Sequence, residues 1–307
     1  MNSKSNLRRS LLYVPGNMPG MLQNIPVFEA DVVLIDLEDA VPLAEKDSAR
    51  LLARNFLRFY QDRNKEMFVR INGLDTPYAQ DDLREILPAL PDGIRLPKAD
   101  NPEMVERLDT LLTEQEEKLG LDIGHFKMIL SIENAQGVIN CIQTARASAR
   151  IVALAFGAED YTASMEIHRT KSGEELLMAR TRVVWAAKST GVQAIDSVFS
   201  DVNDMDGLRD ETLRVKSLGF TGKSLINPRQ IEVVHDVFRP TEEEIRYAVE
   251  VMEAIKRARA MGTGVISLKG KMVDAPVVTR AARTLREGMA FGMLEYDLSD
   301  EVIHGKK

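Results

Sequence analysis

One cysteine, Cys141, stands among the 307 residues. It can form no internal disulfide and no thiolate metal cluster, and its place in an amphipathic helical segment makes it a small packed side chain. Histidines are few and scattered, at positions 125, 168, 235 and 304, and no H-E-x-x-H occurs, which argues against zinc. No apolar run approaches the ~20 residues of a membrane span, so no membrane association is expected. Positive charge is short as well: 40 Lys and Arg face 47 Asp and Glu, a net charge of −7. That disfavours nucleic acid, whose phosphates are bound by Lys/Arg surfaces, but not a small anionic substrate met by a local positive site. No G-x-G-x-x-G follows the first strand, which argues against a dinucleotide-binding fold. Gly222-Lys223-Ser224 mimics the end of a P-loop, yet Ser217 stands where the first glycine is needed and the triplet enters a strand, so nucleotide hydrolysis is set aside. MNSKSNLRRS at the start is not followed by a signal-type apolar stretch, and a cytoplasmic protein is expected.

What is present is ordinary for a globular chain, 44% hydrophobic and 28% charged. Apolar runs of strand length cover 10–14, 31–37, 66–71, 93–96, 192–199 and 222–226, with two more beginning at Lys127 and Ile151. Helical spacing lies between them, over 19–30, 43–60, 79–89, 101–119, 135–150, 173–190 and 204–218. Continuous apolar runs fit strands covered on both faces. Strictly alternating strands and helices predict a parallel sheet with right-handed crossovers, and eight such units predict a (β/α)8 TIM barrel. A doubly wound open sheet is the alternative. The barrel is expected over 1–236 and a C-terminal helical extension over 237–307, packing on a neighbouring subunit. Within the extension we expect a helix over 241–261 opened by a Thr241–Glu244 capping box, an extended piece over 262–268, a loop over 269–276 and a helix over 277–292.

A barrel gathers its functional groups at the carboxyl ends of its strands. Those ends offer Pro15-Gly16, Glu38 and Asp39, Arg70 and Asn72, Lys98, Glu133, Asp160, Ser200-Asp201 and Asn227. Glu133 and Asp160 end neighbouring strands, and two buried like charges are costly without a cation. Mg²⁺ suits them, because it prefers oxygen and often takes one or two carboxylates besides water and substrate. Arg70 lies inside an apolar strand and needs an anionic partner, either a substrate carboxylate gripped by its fork or, structurally, Glu38 or Asp39. Lys98 allows Schiff-base chemistry, but an electrostatic role is preferred. Asp39 is equally readable as a helix cap.

These stretches together resemble the citrate lyase β-subunit family, which includes malyl-CoA, citramalyl-CoA and related acyl-CoA lyases. The matching motifs are Arg9-Ser-Leu-Leu-Tyr-Val-Pro-Gly16, Asp36-Leu-Glu-Asp-Ala-Val41, Val69-Arg-Ile-Asn72, Arg95-Leu-Pro-Lys98, Ile132-Glu133, Gly157-Ala-Glu-Asp160, Gly222 to Ile231 and Gly270-Lys-Met-Val-Asp274. The resemblance implies Mg²⁺ on Glu133 and Asp160 and a substrate carboxylate on Arg70. It implies a thioester, linked to CoA or to an acyl carrier protein, across the barrel mouth near Tyr13, Pro15, Gly16, Lys98, Asn227 and Pro228. It also implies Asp274 as an acid reaching in from an adjacent subunit, buried enough to be protonated, with Glu38 and Asp39 supporting Arg70 or water on the metal. The expected reaction is cleavage of a citryl thioester to oxaloacetate and an acetyl thioester, in a homo-oligomer (trimer or hexamer) with α (CoA-transferase) and γ (acyl carrier) subunits. Two alternatives stand beside it: a stand-alone citramalyl-CoA or malyl-CoA lyase, and a structural subunit that positions the acyl carrier.

Overall fold

The computed structural model describes residues 7–61, 64–260, 266–268, 271–296 and 298. The chain divides into two units, Met1–His235 and Asp236–Lys307.

In the first unit eight strands close into a barrel in chain order: β1 (Ser10–Pro15), β2 (Val32–Asp36), β3 (Glu66–Arg70), β4 (Gly93–Leu96), β5 (Lys127–Ile132), β6 (Ile151–Phe156), β7 (Gln193–Asp196) and β8 (Gly222–Leu225). Every pairing is parallel, and β8 returns to β1 through Ser10↔Lys223 to Leu12↔Leu225. The strands are mostly apolar because both faces are covered. Alternate residues such as Val32, Leu34, Phe68, Ile129, Ala153 and Ile195 form a buried interior core, as expected where side chains fill a small barrel in layers. Closure needs a glycine at 222, since a Cβ there would lie 1.9 Å from the Arg8 carbonyl oxygen.

Helices follow the strands: α1 (Pro19–Leu22), α2 (Lys46–Phe59), α3 (Ala79–Ile86), α4 (Pro102–Leu119), α5 (Ala135–Thr144), α6 (Ala158–Ser164), α7 (Leu177–Thr190), α8 (Met205–Leu218) and α9 (Gln230–Phe238). Their starts are chemically set. Asn101 accepts from the Met104 N–H at 3.0 Å, with Pro102 in the first turn, and Asn134 accepts from the Gly137 N–H at 2.7 Å.

Several boundaries differ from the sequence expectation. The helix expected over 19–30 is the single turn α1 and a 3-10 turn, Ile25–Val27, containing Pro26, which has no N–H to donate. The helix expected over 135–150 stops at Thr144. Beyond it Arg150 is drawn away to Glu116, with Nη1–Oε1 and Nη2–Oε2 both within 2.7 Å. Cys141 is buried in α5, as expected. Helices α6 and α9 were not anticipated.

The second unit holds α10 (Glu242–Ala260), α11 (Ala275–Ala290) and a hairpin of β9 (Ile266–Leu268) and β10 (Lys271–Val273). The expected loop therefore contains a strand, because the extended piece before it offers a partner. Val251, Met252, Val278, Ala282 and Leu285 form this unit's own core. The capping box is present: the Glu244 N–H donates to Thr241 Oγ1 at 3.1 Å and the Thr241 N–H to Glu244 Oε2 at 2.7 Å. Among the described residues no helix is long and apolar enough to cross a membrane.

Lys223, the lysine of the P-loop mimic, is wholly buried. Its Nζ donates to Asp196 Oδ2 and to Glu211 Oε1, both at 2.6 Å, while Arg180 holds the same two acids at 2.8 to 3.2 Å. It ties β8 to β7 and α8. Burial works against the Glu211 anion, but Lys223 and Arg180 outweigh it and hold Glu211 down at about 2. Its contribution is therefore full above the ordinary glutamate pKa and is lost as pH falls towards 2. Replacing Lys223 with Met strands a buried negative charge and should cost about 3 kcal/mol of unfolding free energy by urea titration at pH 7, the lower end for a broken buried pair because Arg180 remains.

Candidate active site

The carboxyl ends of the strands surround a cavity of about 440 Å³, within the range of small-molecule sites. Tyr13, Pro15, Asp36, Asp39, Arg70, Arg95, Glu133, Phe156, Asp160, Ser197, Ser224 and Ile226 are among its lining. One part of the barrel supplies most of the charge.

Asp36, Arg70 and Arg95 sit opposite one another on β2, β3 and β4. Arg70 closes its fork on Asp36, Nε to Oδ1 at 2.7 Å and Nη2 to Oδ2 at 2.6 Å. Its Nη1 faces Glu38 Oε2 at 2.9 Å and Asp39 Oδ2 at 3.2 Å. Burial alone would raise Asp36, but the paired guanidinium overcomes it and holds the carboxyl below its ordinary range. Glu38 and Asp39, the partners considered for Arg70 from the sequence, are both in place, but Asp36 takes the bidentate position. Glu38 has no such advantage. Burial pushes it from 4.5 up to about 7, with Arg70 pulling down and Asp39 pushing up.

Glu38 Oε1 also accepts from Lys98 Nζ at 3.3 Å. Lys98 has φ +48°, an uncommon backbone for a residue with a side chain. That conformation aims its N–H at Glu133 Oε1, 2.7 Å away. Glu133 follows β5 and is 3% exposed. On its other side, a Cβ at Gly157 would lie 2.6 Å from Glu133 Cβ and 2.9 Å from its Oε2; glycine leaves the carboxylate its place. Asp160, expected at the strand end, lies in the first turn of α6 and is half-buried. Burial raises the pKa of both acids. Asp160 pushes Glu133 further while Arg95 opposes it, and Asp39 pushes Asp160 further.

Two acids that each disfavour the other's charge, with oxygen donors only, fit a hard divalent cation. Among the described residues no group of three or more His, Cys, Asp or Glu that could hold a metal ion is found. Glu159 also lines the cavity, pairs with Arg169 and adds to the upward push on Asp160.

The remaining expected residues are placed as follows. Tyr13 carries both Arg70 and Arg95 over its ring, each 5.0 Å from the centroid. Gly16 donates its N–H to the Asp36 carbonyl oxygen at 2.8 Å and stands just outside the lining. Asn227 and Pro228 follow Ile226, also outside it. Asn227 is folded into its own turn, accepting from the Arg229 N–H at 3.0 Å. Asp274 belongs to the second unit, where it is exposed and caps α11 by accepting from the Val277 N–H at 3.2 Å. The burial expected for it is not provided within this unit.

A model of the HpcH/HpaI aldolase/citrate lyase family matches residues 9–228, a span that holds all eight barrel strands. The chain belongs to this family. The citrate lyase subunit beta of Leuconostoc mesenteroides subsp. cremoris is 47% identical over 286 residues, 93% of this chain and 94% of the relative. The mitochondrial citramalyl-CoA lyase of Rattus norvegicus is 34% identical over 290 residues, 91% of this chain and 86% of the relative. Among solved structures, the protein CitE of Mycobacterium tuberculosis in complex with magnesium, acetoacetate and coenzyme A superposes with a TM-score of 0.76 at 28% identity, covering 93% of this chain and 99% of that one. Membership accounts for the barrel and for carbon–carbon lyase chemistry.

Asp36 and Arg95 line the cavity and were missed as site residues. Arg95 carried the signal used for Arg70, a guanidinium inside an apolar strand. Asp36 carried it too, as an acid inside the apolar run 31–37 and the first residue of the Asp36–Val41 motif, but Glu38 and Asp39 after that run took the assignment.

The raised Glu38 carboxyl gives a pH signature. A folded pKa above the unfolded value favours the folded state at low pH, and the advantage is lost as pH rises from 4.5 through about 7. In metal-free protein, Glu38→Gln should therefore gain stability relative to the parent between pH 5 and pH 8, by roughly 2 to 3 kcal/mol at ~1.4 kcal/mol per pKa unit. Urea titrations of both proteins at the two pH values measure it.

Proposed function

We propose that this chain is the β subunit of citrate lyase, a Mg²⁺-dependent lyase that cleaves a citryl thioester into oxaloacetate and an acetyl thioester. The observation that carries the reading is the buried Glu133 beside Asp160 at the mouth of the barrel, facing a cavity with Arg70 and Arg95. The Leuconostoc citrate lyase subunit beta, similar along nearly the whole chain, supports the substrate. The magnesium and coenzyme A bound by the mycobacterial protein support the ion and the thioester.

Glu133 and Asp160 would hold Mg²⁺, which when bound supplies Lewis-acid polarisation of the substrate hydroxyl oxygen. Arg70, which lines the cavity, would orient the adjoining carboxylate. Glu38 and Asp39 hold that guanidinium. In the reaction the hydroxyl passes its proton to solvent water in the cavity, and its oxygen becomes the carbonyl of oxaloacetate. The bond to the carbon next to the thioester breaks, and its electron pair passes to the thioester enolate. Asp274 of an adjacent subunit would give that enolate a proton, completing the acetyl thioester. The thioester would lie along Tyr13, Pro15, Gly16, Lys98, Asn227 and Pro228. We place the protein in the cytoplasm as a homo-oligomer, a trimer or hexamer, whose extension over 237–307 packs on a neighbour and which works with α (CoA-transferase) and γ (acyl carrier) subunits.

Purified protein with Mg²⁺ should release oxaloacetate from citryl-CoA faster than pyruvate from citramalyl-CoA or glyoxylate from malyl-CoA. Preference for citramalyl-CoA would replace the reading with the activity named for the rat relative. Glu133→Ala and Asp160→Ala should each lower kcat/KM at least about a hundredfold, a few kcal/mol of lost charge stabilisation, with chelation of the parent having the same effect and added Mg²⁺ reversing it. Full activity after chelation would remove the metal from the mechanism.

Asp274→Asn should bind substrate normally and lose turnover by about 10²–10⁴-fold, the scale of a general acid. Mixing inactive Asp274→Asn with inactive Arg70→Ala protein under conditions of subunit exchange should restore activity; no recovery would place Asp274 in the same chain as the barrel it serves.

A further inference from the structure

Two arginines stand in register at the barrel mouth, and the fold treats them differently. Arg70 is answered by three carboxylates. Arg95 is 2% exposed; its Nε donates to a neutral hydroxyl, Ser131 Oγ, at 2.9 Å, and its Nη1 meets no partner among the described residues. Arginine cannot shed its proton, and a buried donor left unmade is costly. A second guanidinium directly opposite on the next strand adds repulsion. Arg95 tempers the Glu133 charge through space, but that uses none of its N–H groups. Ser224, another residue of the lining, also has a buried Oγ without a partner. The cavity therefore presents a permanent cation with an open donor, next to acids that would repel any anion it did not greet.

The three candidate substrates differ at one place. Each carries a carboxylate and a hydroxyl on the same carbon. The third substituent there is a methyl group in a citramalyl thioester, hydrogen in a malyl thioester, and a carboxymethyl arm in a citryl thioester. We propose that Arg95 is a second carboxylate anchor that receives this acidic arm and so selects thioesters whose oxo-acid product is a dicarboxylate. The inference rests on the lyase function proposed above. Arg70 is already closed on Asp36, and the Glu133–Asp160 pair is assigned to the ion that takes the hydroxyl, so the open Nη1 of Arg95 is the cation left for a second carboxylate. A site built around a charged hydrogen bond discriminates far more strongly than an apolar one, because the wrong substrate leaves the buried group unpaired.

The test compares Arg95→Met and Arg95→Lys with the parent in two assays, both with Mg²⁺. Turnover of citryl-CoA and citramalyl-CoA gives a ratio of kcat/KM values. Calorimetric binding of oxaloacetate and pyruvate gives the corresponding ratio without turnover. Arg95→Met should shift both ratios against the dicarboxylate by about a hundredfold, the scale of a lost buried charge pair, and Arg95→Lys, which keeps charge without the fork, by about tenfold. Should the Met variant not fold, the Lys variant carries the comparison. Ratios that move less than threefold while both substrates weaken alike overturn the proposal and make Arg95 a counter-charge for Glu133. Citryl-CoA cleavage by the parent with unmoved ratios keeps the lyase function and removes the anchor. Oxaloacetate binding that is lost on substitution in a parent that cleaves neither thioester keeps the anchor and removes the lyase function.

Discussion

The bidentate pair between Arg70 and Asp36 is the contact on which the mouth of the barrel depends. From it a line of polar contacts runs across four strands. Arg70 fixes Glu38 and Asp39, Glu38 takes the Lys98 ammonium, and the Lys98 N–H in turn fixes Glu133. Each member is held by the next, so Glu133 is joined to the Arg70–Asp36 pair through Lys98 and Glu38. Breaking a buried pair of this kind costs about 3–5 kcal/mol, because the partner is left charged and unanswered. The arrangement also carries stored imbalance. Glu38 is pushed up to about 7, Glu133 and Asp160 are both raised by burial, and Lys98 keeps an uncommon backbone. Such tension is what a site shows when its charges are placed for a ligand rather than for one another.

Much of this architecture is legible in residue order alone, for definite reasons. Eight apolar runs that alternate with helical spacing admit few topologies once strands are parallel and crossovers right-handed. Strand positions therefore agree within a residue or two, apart from the seventh, which ends at Asp196 rather than Phe199. Helix ends depend on contacts the pattern does not contain. Beyond Thr144 the chain is held by the Arg150 N–H on Ser148 Oγ at 3.0 Å and by the Arg150 guanidinium on Glu116, 34 positions away. The hairpin of β9 and β10 was half visible, as an extended piece without its partner.

The site divides along the same line. Glu133, Asp160 and Arg70 stand out because their charges interrupt apolar strands or end them. Asp36 interrupts its run in the same way, but only the register of β2 against β3 shows that it is the partner opposite Arg70. Lys223 and Arg95 obey the rule that exposed Arg70, yet they meet different fates. Lys223 is fully answered by Asp196 and Glu211 and holds the wall together, whereas Arg95 is left with an open donor. A buried cation in a strand is thus a signal without a meaning until its partners are counted, and that count is a property of the fold.

Asp274 shows the opposite economy. It is exposed, and its side chain caps α11 by accepting from the Val277 N–H at 3.2 Å. Giving up an N-cap of this kind costs about 1 kcal/mol, several times less than disturbing the Arg70 line. The two halves of the proposed chemistry ask for this difference. Bond cleavage needs substrate groups fixed to within a fraction of an ångström, which a rigid network of buried ion pairs on barrel strands supplies. Protonation of the enolate comes afterwards and needs an acid that arrives with apolar cover around it. A weakly held cap in a unit with its own core can adapt to that cover at small cost, and a residue of the barrel network cannot.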